Sequence, residues 1–167
     1  MFDIKINSDK IQITSIEKED LGNIYRWITC QVEPINNNLD FINEAEFYER
    51  FIEYYLNECE FFLKIEIHNE LTGILKGRAE FKNPNEVWIN YVFFSQKYRN
   101  LGLGSIILKE IIEYFTKDFG IINFFVKIEE DNFNTFDFWK KNKFIILEFL
   151  VEKGKKRKAI MKKIGNV

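Results

Sequence analysis

The segment of this 167-residue sequence whose residue types and spacing point most directly to chemistry is Arg99-Asn100-Leu101-Gly102-Leu103-Gly104. A strand-like apolar run ends just before it at Phe94, and a helical apolar pattern begins just after it at Ile106. Glycines at such a junction let the backbone turn tightly and let a ligand come close. The N–H groups that open the following helix converge on one spot, and the helix dipole adds about half a positive charge there. Together they form a site for an anion, well suited to a diphosphate. Arg99 and Lys97 can add charge-assisted contacts.

Three phosphate-binding loops compete for this segment. A Walker-type loop requires Lys after its last Gly, and here Ser105 follows Gly104. A dinucleotide fingerprint, G-x-G-x-x-G, fits Gly102 and Gly104 but finds Ile107 at its third position. The remaining pattern is R-x-x-G-x-G after a strand. The run from Tyr91 to Leu108 resembles the acetyl-CoA loop of the GNAT N-acetyltransferase superfamily, with its strand–loop–helix core. A second stretch, Asn132 to Phe144, resembles that family's second signature. There the family usually carries a Tyr where this chain has Trp139, and a Gly where it has Lys143. The resemblance covers Leu71 to Lys163, and the first ~70 residues follow it only in the order of their elements.

The resemblance implies an acetyl-CoA-dependent N-acetyltransferase, with acetyl-CoA as co-substrate and no metal. Backbone groups of Phe93 and Phe94 would pair with the pantetheine arm as an added strand does. Amides from Asn100 through Leu101, Gly102, Leu103 and Gly104 to Ser105, with Arg99 beside them, would hold the diphosphate. Asn132 would reach the cofactor, and Trp139 would form a packing wall for it. A strand N–H near Phe93 or Phe94 would polarise the thioester carbonyl.

The acceptor amine must lose a proton before it attacks, because an ordinary alkyl ammonium titrates near ~10.4. A carboxylate can take that proton. Glu86, at the start of the strand leading into the loop, is the first candidate, and Glu80 is the second. The departing CoA thiolate gains from an acid. An indole N–H is a donor but no useful acid, so Tyr98 is the candidate at that step, with Tyr91 or water as alternatives. Residues 1–60 hold five Lys/Arg against thirteen Asp/Glu, net −8, and residues 61–167 are net +6. A positive second part suits the CoA phosphates. The acids Glu33, Asp40, Glu44, Glu46, Glu49 and Glu53 suit a cationic acceptor of polyamine or aminoglycoside type. Tyr25-Arg26-Trp27 resembles a segment of aminoglycoside 6′-acetyltransferases, although packing of its aromatics into a core is the preferred reading. Two alternatives stand beside this one: a non-catalytic acyl-CoA-binding module on the same fold, and a protein N-terminal or lysine acetyltransferase.

The elements that must position these groups can be read from periodicity. A strand spans Ile11–Ile16, and helices follow from Leu21 and over Asn43–Asn57. An antiparallel meander runs Phe61–Ile67, Leu71–Phe81 and Glu86–Phe94. A helix then runs to Thr116, with Gly120 ending it. A strand Ile121–Ile128, a short helix to Asn142 and a terminal hairpin of Phe144–Val151 with Lys156–Lys162 complete the chain. The order is β-α-α-β-β-β-α-β-α-β-β, an α/β (α+β) class with a GNAT-like mixed, mostly antiparallel sheet flanked by helices, read as one domain over 1–167.

Composition sets the outer limits. Hydrophobic residues are 46% and aromatics 17% of the chain, ample apolar surface to offset chain entropy. A net charge of −2 argues against a general nucleic-acid binder. The single histidine and two cysteines offer no ordinary zinc ligand set. Cys30 and Cys59 read as reduced thiols in or at the edge of the core, and His68 as a turn residue. The chain shows no leader-like segment and no apolar run of membrane length. It therefore reads as a cytoplasmic protein, monomer or homodimer, with a small-molecule partner and neither nucleic acid nor membrane as a target.

Overall fold

The computed structural model describes residues 2–8, 10–31, 43–82, 84–129, 133–151 and 157–165. The elements are β1 (Lys5–Ser8), β2 (Ile11–Ser15), α1 (Leu21–Gln31), α2 (Glu44–Leu56), β3 (Glu60–Ile67), β4 (Glu70–Glu80), β5 (Glu86–Phe94), α3 (Leu103–Phe119), β6 (Asn123–Glu129), α4 (Phe133–Lys141), β7 (Ile145–Leu150) and β8 (Lys158–Ile164). Short 3-10 turns cover Lys18–Asp20 and Gln96–Tyr98. The strands form a sheet in the order β1-β2-β3-β4-β5-β6-β8-β7. β5 pairs with β6 in parallel, whereas β1–β2, β2–β3, β6–β8 and β7–β8 are antiparallel. The expected mixed, mostly antiparallel class holds. The element order needs one correction, because β1 precedes the strand expected first. It pairs Lys5–Ser8 with Ile11–Thr14, and four residues are too few to register as a period.

The chain divides into two compact units, Met1–Lys76 with Tyr91–Leu101, and Gly77–Asn90 with Gly102–Val167. Both β4 and β5 contribute to each unit. In the first unit, Ile16, Leu21, Ile24, Ile28, Phe47, Phe51, Phe62 and Ile74 form a buried cluster. The apolar spacing of α1 and α2 puts these positions on one face of each helix. Tyr25, Trp27, Tyr91 and Phe93 pack around it, so the aromatics of the Tyr25-Arg26-Trp27 segment do join a core. The start of α2 is fixed by Asn43, whose side chain accepts a hydrogen bond from the Glu46 N–H at 2.9 Å.

In the second unit, Ile107, Leu108, Ile111, Ile112 and Phe115 bury one face of α3. Phe124, Val126, Trp139, Phe144 and Met161 are buried in the same unit. Gly120 caps α3 with φ +64, a left-handed backbone suited to glycine. β3 and β4 are joined at His68 and Asn69, with φ of +52 and +64. A two-residue turn with both φ positive matches the twist of a hairpin, so His68 is a turn residue. Cys30 and Cys59 are free thiols, and the correction concerns their place: both are exposed and not in or at the edge of the core. Among the described residues no helix is long and apolar enough to cross a membrane, and no group of three or more His, Cys, Asp or Glu could hold a metal ion.

Candidate active site

The glycine-rich loop is exposed from Arg99 to Gly102 and half-buried from Leu103 to Ser105. Its shape comes from two left-handed residues, Asn100 at φ +60 and Gly102 at φ +80. Asn tolerates this region better than most side chains, and Gly adopts it freely. Gly102 is the N-cap of α3 and gives no side-chain cap. The first bonds of the helix run from the N–H groups of Ser105 and Ile106 to the Gly102 carbonyl, at 3.1 and 3.4 Å. The amides of Leu103 and Gly104 lie ahead of them, in the first turn of the helix, where N–H groups have no intrahelical acceptor. A Cβ built on Gly102 meets nothing within 4 Å. The glycine is there for its φ, and the space beside it is open to a ligand.

Arg99 ties the start of the loop to the end of β5. Its Nε donates to the Phe94 carbonyl at 2.8 Å, and its guanidinium lies 5.0 Å from the Phe93 ring centroid. Phe93 and Phe94 are seated against β4. The Ser95 N–H donates to the Thr72 carbonyl at 2.9 Å. A Cβ on Gly73 would stand 2.7 Å from both the Phe93 carbonyl oxygen and the Phe94 ring. Gly73 therefore lets the end of β5 approach β4 closely, and only glycine fits there. The available signal was a glycine inside a strand, which marks close backbone approach.

The remaining candidates are more scattered. The Tyr98 hydroxyl donates to Glu70 Oε2 at 2.8 Å, and Lys97 donates to the same carboxylate at 3.0 Å. These bonds, that from Lys97 foremost, hold the Glu70 carboxyl below its usual range. Glu86 is the first residue of β5, whereas Phe93 and Phe94 are its last two. Glu86 accepts from Trp88 Nε1 at 3.1 Å and pairs with Lys82 at 3.0 Å. Glu80 pairs with Lys82 at 2.6 Å and Arg78 at 2.8 Å, and the Lys82 bond lowers its proton affinity. The two carboxylates expected as bases thus share one lysine. Trp139 is 4% exposed, with Phe138 and Phe144 at 5.1 and 4.8 Å between ring centroids. It is a core residue of the second unit. Burial pushes the Tyr91 hydroxyl up and keeps it protonated. Asn132, Glu33 and Asp40 lie outside the described residues.

Residues 13–161 match the family model for the acetyltransferase (GNAT) domain. The chain belongs to the GNAT acetyltransferase family. No curated protein matches this GNAT chain by sequence. Among solved structures it is similar to RimL, a ribosomal-protein alpha-N-acetyltransferase in complex with coenzyme A, with TM-score 0.83 and 14% identity over 96% of this chain and 98% of that one. It is also similar to a chimera of the spermidine N-acetyltransferase SpeG from Vibrio cholerae, with TM-score 0.79 and 11% identity over 94% and 96%. A GNAT-family acetyltransferase from Streptococcus pneumoniae gives TM-score 0.69 and 17% identity over 94% and 100%. At these identities the likeness speaks for the fold.

Proposed function

We propose that this GNAT chain moves the acetyl group of acetyl-CoA directly to the primary amine of a cationic small molecule of polyamine type. The observation that carries the reading is the exposed loop at Gly102, where a left-handed glycine caps α3 with open space beside it and the first-turn amides of Leu103 and Gly104 have no intrahelical acceptor. The presence of coenzyme A in the RimL structure supports the choice of cofactor.

In this reading the loop amides from Asn100 to Gly104 hold the diphosphate, the Ser105 N–H being taken by the Gly102 carbonyl, and Arg99 holds the loop against the end of β5. A β5 amide near Phe93 donates to the thioester oxygen as negative charge grows on it, a contribution typically worth about 10²–10³ in rate. Glu86 stands seven residues before Phe93 on β5, more than about 20 Å along an extended strand, so it takes the proton of the incoming ammonium only through a chain of water. Its bonds to Lys82 and Trp88 fix the direction of its carboxylate. Tyr98, already donating to Glu70, protonates the CoA thiolate. A thiol titrating near ~8.5 makes that help minor at neutral pH.

The acceptor reading rests on charge. Glu44, Glu49 and Glu53 on α2 are exposed, and residues 1–60 carry net −8. The relatives include enzymes for a protein amine and for spermidine, so the deciding experiment is an acetylation screen read by mass spectrometry. Polyamines, aminoglycosides, amino acids and peptides are offered with acetyl-CoA. Acetylated polyamine is expected, whereas acetylation of peptide N-termini alone would overturn the acceptor class. Tight CoA binding without turnover of any amine would leave a binding module. Glu86→Gln should lower kcat about 10²–10⁴-fold with little change in KM, and an unchanged kcat removes Glu86 as the base.

A further inference from the structure

Lys76 is a half-buried cation inside β4, with Leu75 before it and Gly77 after it. Its Nζ sits 3.2 Å from the centroid of the Tyr54 ring on α2. Arg50 and Glu53 of α2 and Glu60 of β3 act on it electrostatically. Glu60 Oε2 is itself buried without a hydrogen-bond partner. A cation, a ring face and an unsatisfied carboxylate oxygen are thus gathered within the first unit, and none of them is used in the acetyl transfer to an external amine.

The position of Lys76 on β4 gives the cluster meaning. Ser95 meets Thr72 through a backbone bond, and Gly73 packs on Phe93. At the other end of the two strands, Lys82 links Glu80 to Glu86. β4 and β5 therefore run side by side in opposite directions. Four residues on from Thr72 is Lys76, and four residues back from Ser95 is Tyr91. Lys76 lies level with the part of β5 that leads into the cofactor loop. It shares the parity of Ile74, which is buried in the core against which Tyr91 and Phe93 pack.

We propose that Lys76 is a self-acetylation site, taking the acetyl group from acetyl-CoA bound to the same chain. This rests on the acetyl-CoA reading above. The ammonium first loses one proton to water. The Nζ lone pair attacks the thioester carbonyl carbon, and the C–S bond breaks with its electrons on sulfur. The thiolate takes the second proton from nitrogen, leaving Nζ-acetyl-Lys76 and CoA thiol. Burial favours the first step by lowering the Lys76 pKa to about 8 from 10.5. At neutral pH its neutral fraction exceeds that of an exposed lysine on the order of 10²-fold. The product amide carries no charge, so it removes the cation from the Tyr54 face and leaves Glu60 the more negative.

The test incubates the full chain with isotope-labelled acetyl-CoA, digests it and maps the label, with CoA binding followed by calorimetry on the same protein. The expected result is label on Lys76 at ten or more times the rate of the exposed Lys109 and Lys117. The rate should be independent of protein concentration, rise from pH 7 to 9, and vanish when the chain is unfolded in urea. Lys76→Arg should bind CoA normally and lose the fast label. Lys76 labelled no faster than Lys109 and Lys117, while CoA binds, would overturn the proposal and leave the cofactor reading intact. Absent CoA binding would remove that reading and the proposal with it.

Discussion

At the scale of single residues, the backbone decides more than the side chains do. Lys143 stands where the family usually has glycine, and its φ is +66. The end of α4 shows why. The Phe144 N–H bonds back to the Trp139 carbonyl at 3.0 Å and the Lys143 N–H to the Lys140 carbonyl at 2.9 Å. This is a Schellman closure, with Lys143 at the left-handed position that favours glycine. Lys143→Gly should therefore stabilise the fold by about 1 kcal/mol, seen as a raised denaturant midpoint at unchanged slope; a lowered midpoint contradicts it. Gly73 has the opposite logic. Its φ is ordinary, but a Cβ has no room beside Phe93 and Phe94. Gly73→Ala should destabilise by about 1–3 kcal/mol and weaken CoA binding, because it shifts the strand end that feeds the loop. Calorimetry that finds native CoA affinity in this variant would separate Gly73 from the site. The need for glycine at 102 was legible in the sequence, because punctuation between a strand and a helix is local. The need at 73 was not, because it depends on which strand lies alongside.

Elements show the same division between local and long-range information. α3 was readable almost to its ends, since its apolar positions recur at helical spacing and Gly120 closes it. β5 was read at its observed bounds, Glu86–Phe94. β1 was missed: its four residues, Lys5–Ser8, carry too little pattern and are held by pairing with β2. The two ends of the sheet also differ in a way no local pattern reports. β1 closes one end with a short strand bearing Lys5, Asn7 and Ser8, a composition that discourages further pairing. β7 lies at the other end, and Ile145, Leu147 and Phe149 are 67%, 56% and 38% exposed. An apolar edge of that kind invites association during concentration or refolding. Leu147→Lys should leave the unfolding free energy within about 0.5 kcal/mol of the parent while reducing light scattering at high protein concentration. Unchanged scattering would show that the β7 edge is not the sticky surface.

For the whole molecule, the uneven charge was visible in the sequence, but the burial of one charge within it was not. The exposed ion pairs, such as Lys97–Glu70 and Lys117–Glu113, contribute little to stability and are screened by salt. Lys76 is different because folding removes part of its hydration. Its folded pKa is about 8, against 10.5 when free. Below about pH 8 both states hold the proton, and the folded state bears the penalty of a partly buried ammonium. Between about 8 and 10.5 the unfolded chain binds more protons than the folded one, so stability rises with pH. Tyr54 acts in the opposite sense above pH 10, since burial raises its folded pKa and stability then falls as the unfolded phenol ionises. The chain should therefore be more stable at pH 9.5 than at pH 7.5, with a maximum before tyrosine ionisation. Solvent reaching Lys76 keeps the gain modest. Lys76→Met, which fills similar space without charge, should flatten the rise and be the more stable form at pH 7.5. Urea unfolding at the two pH values measures both, and a parent whose stability is flat or falling across this window would show that the Lys76 ammonium is solvated after all.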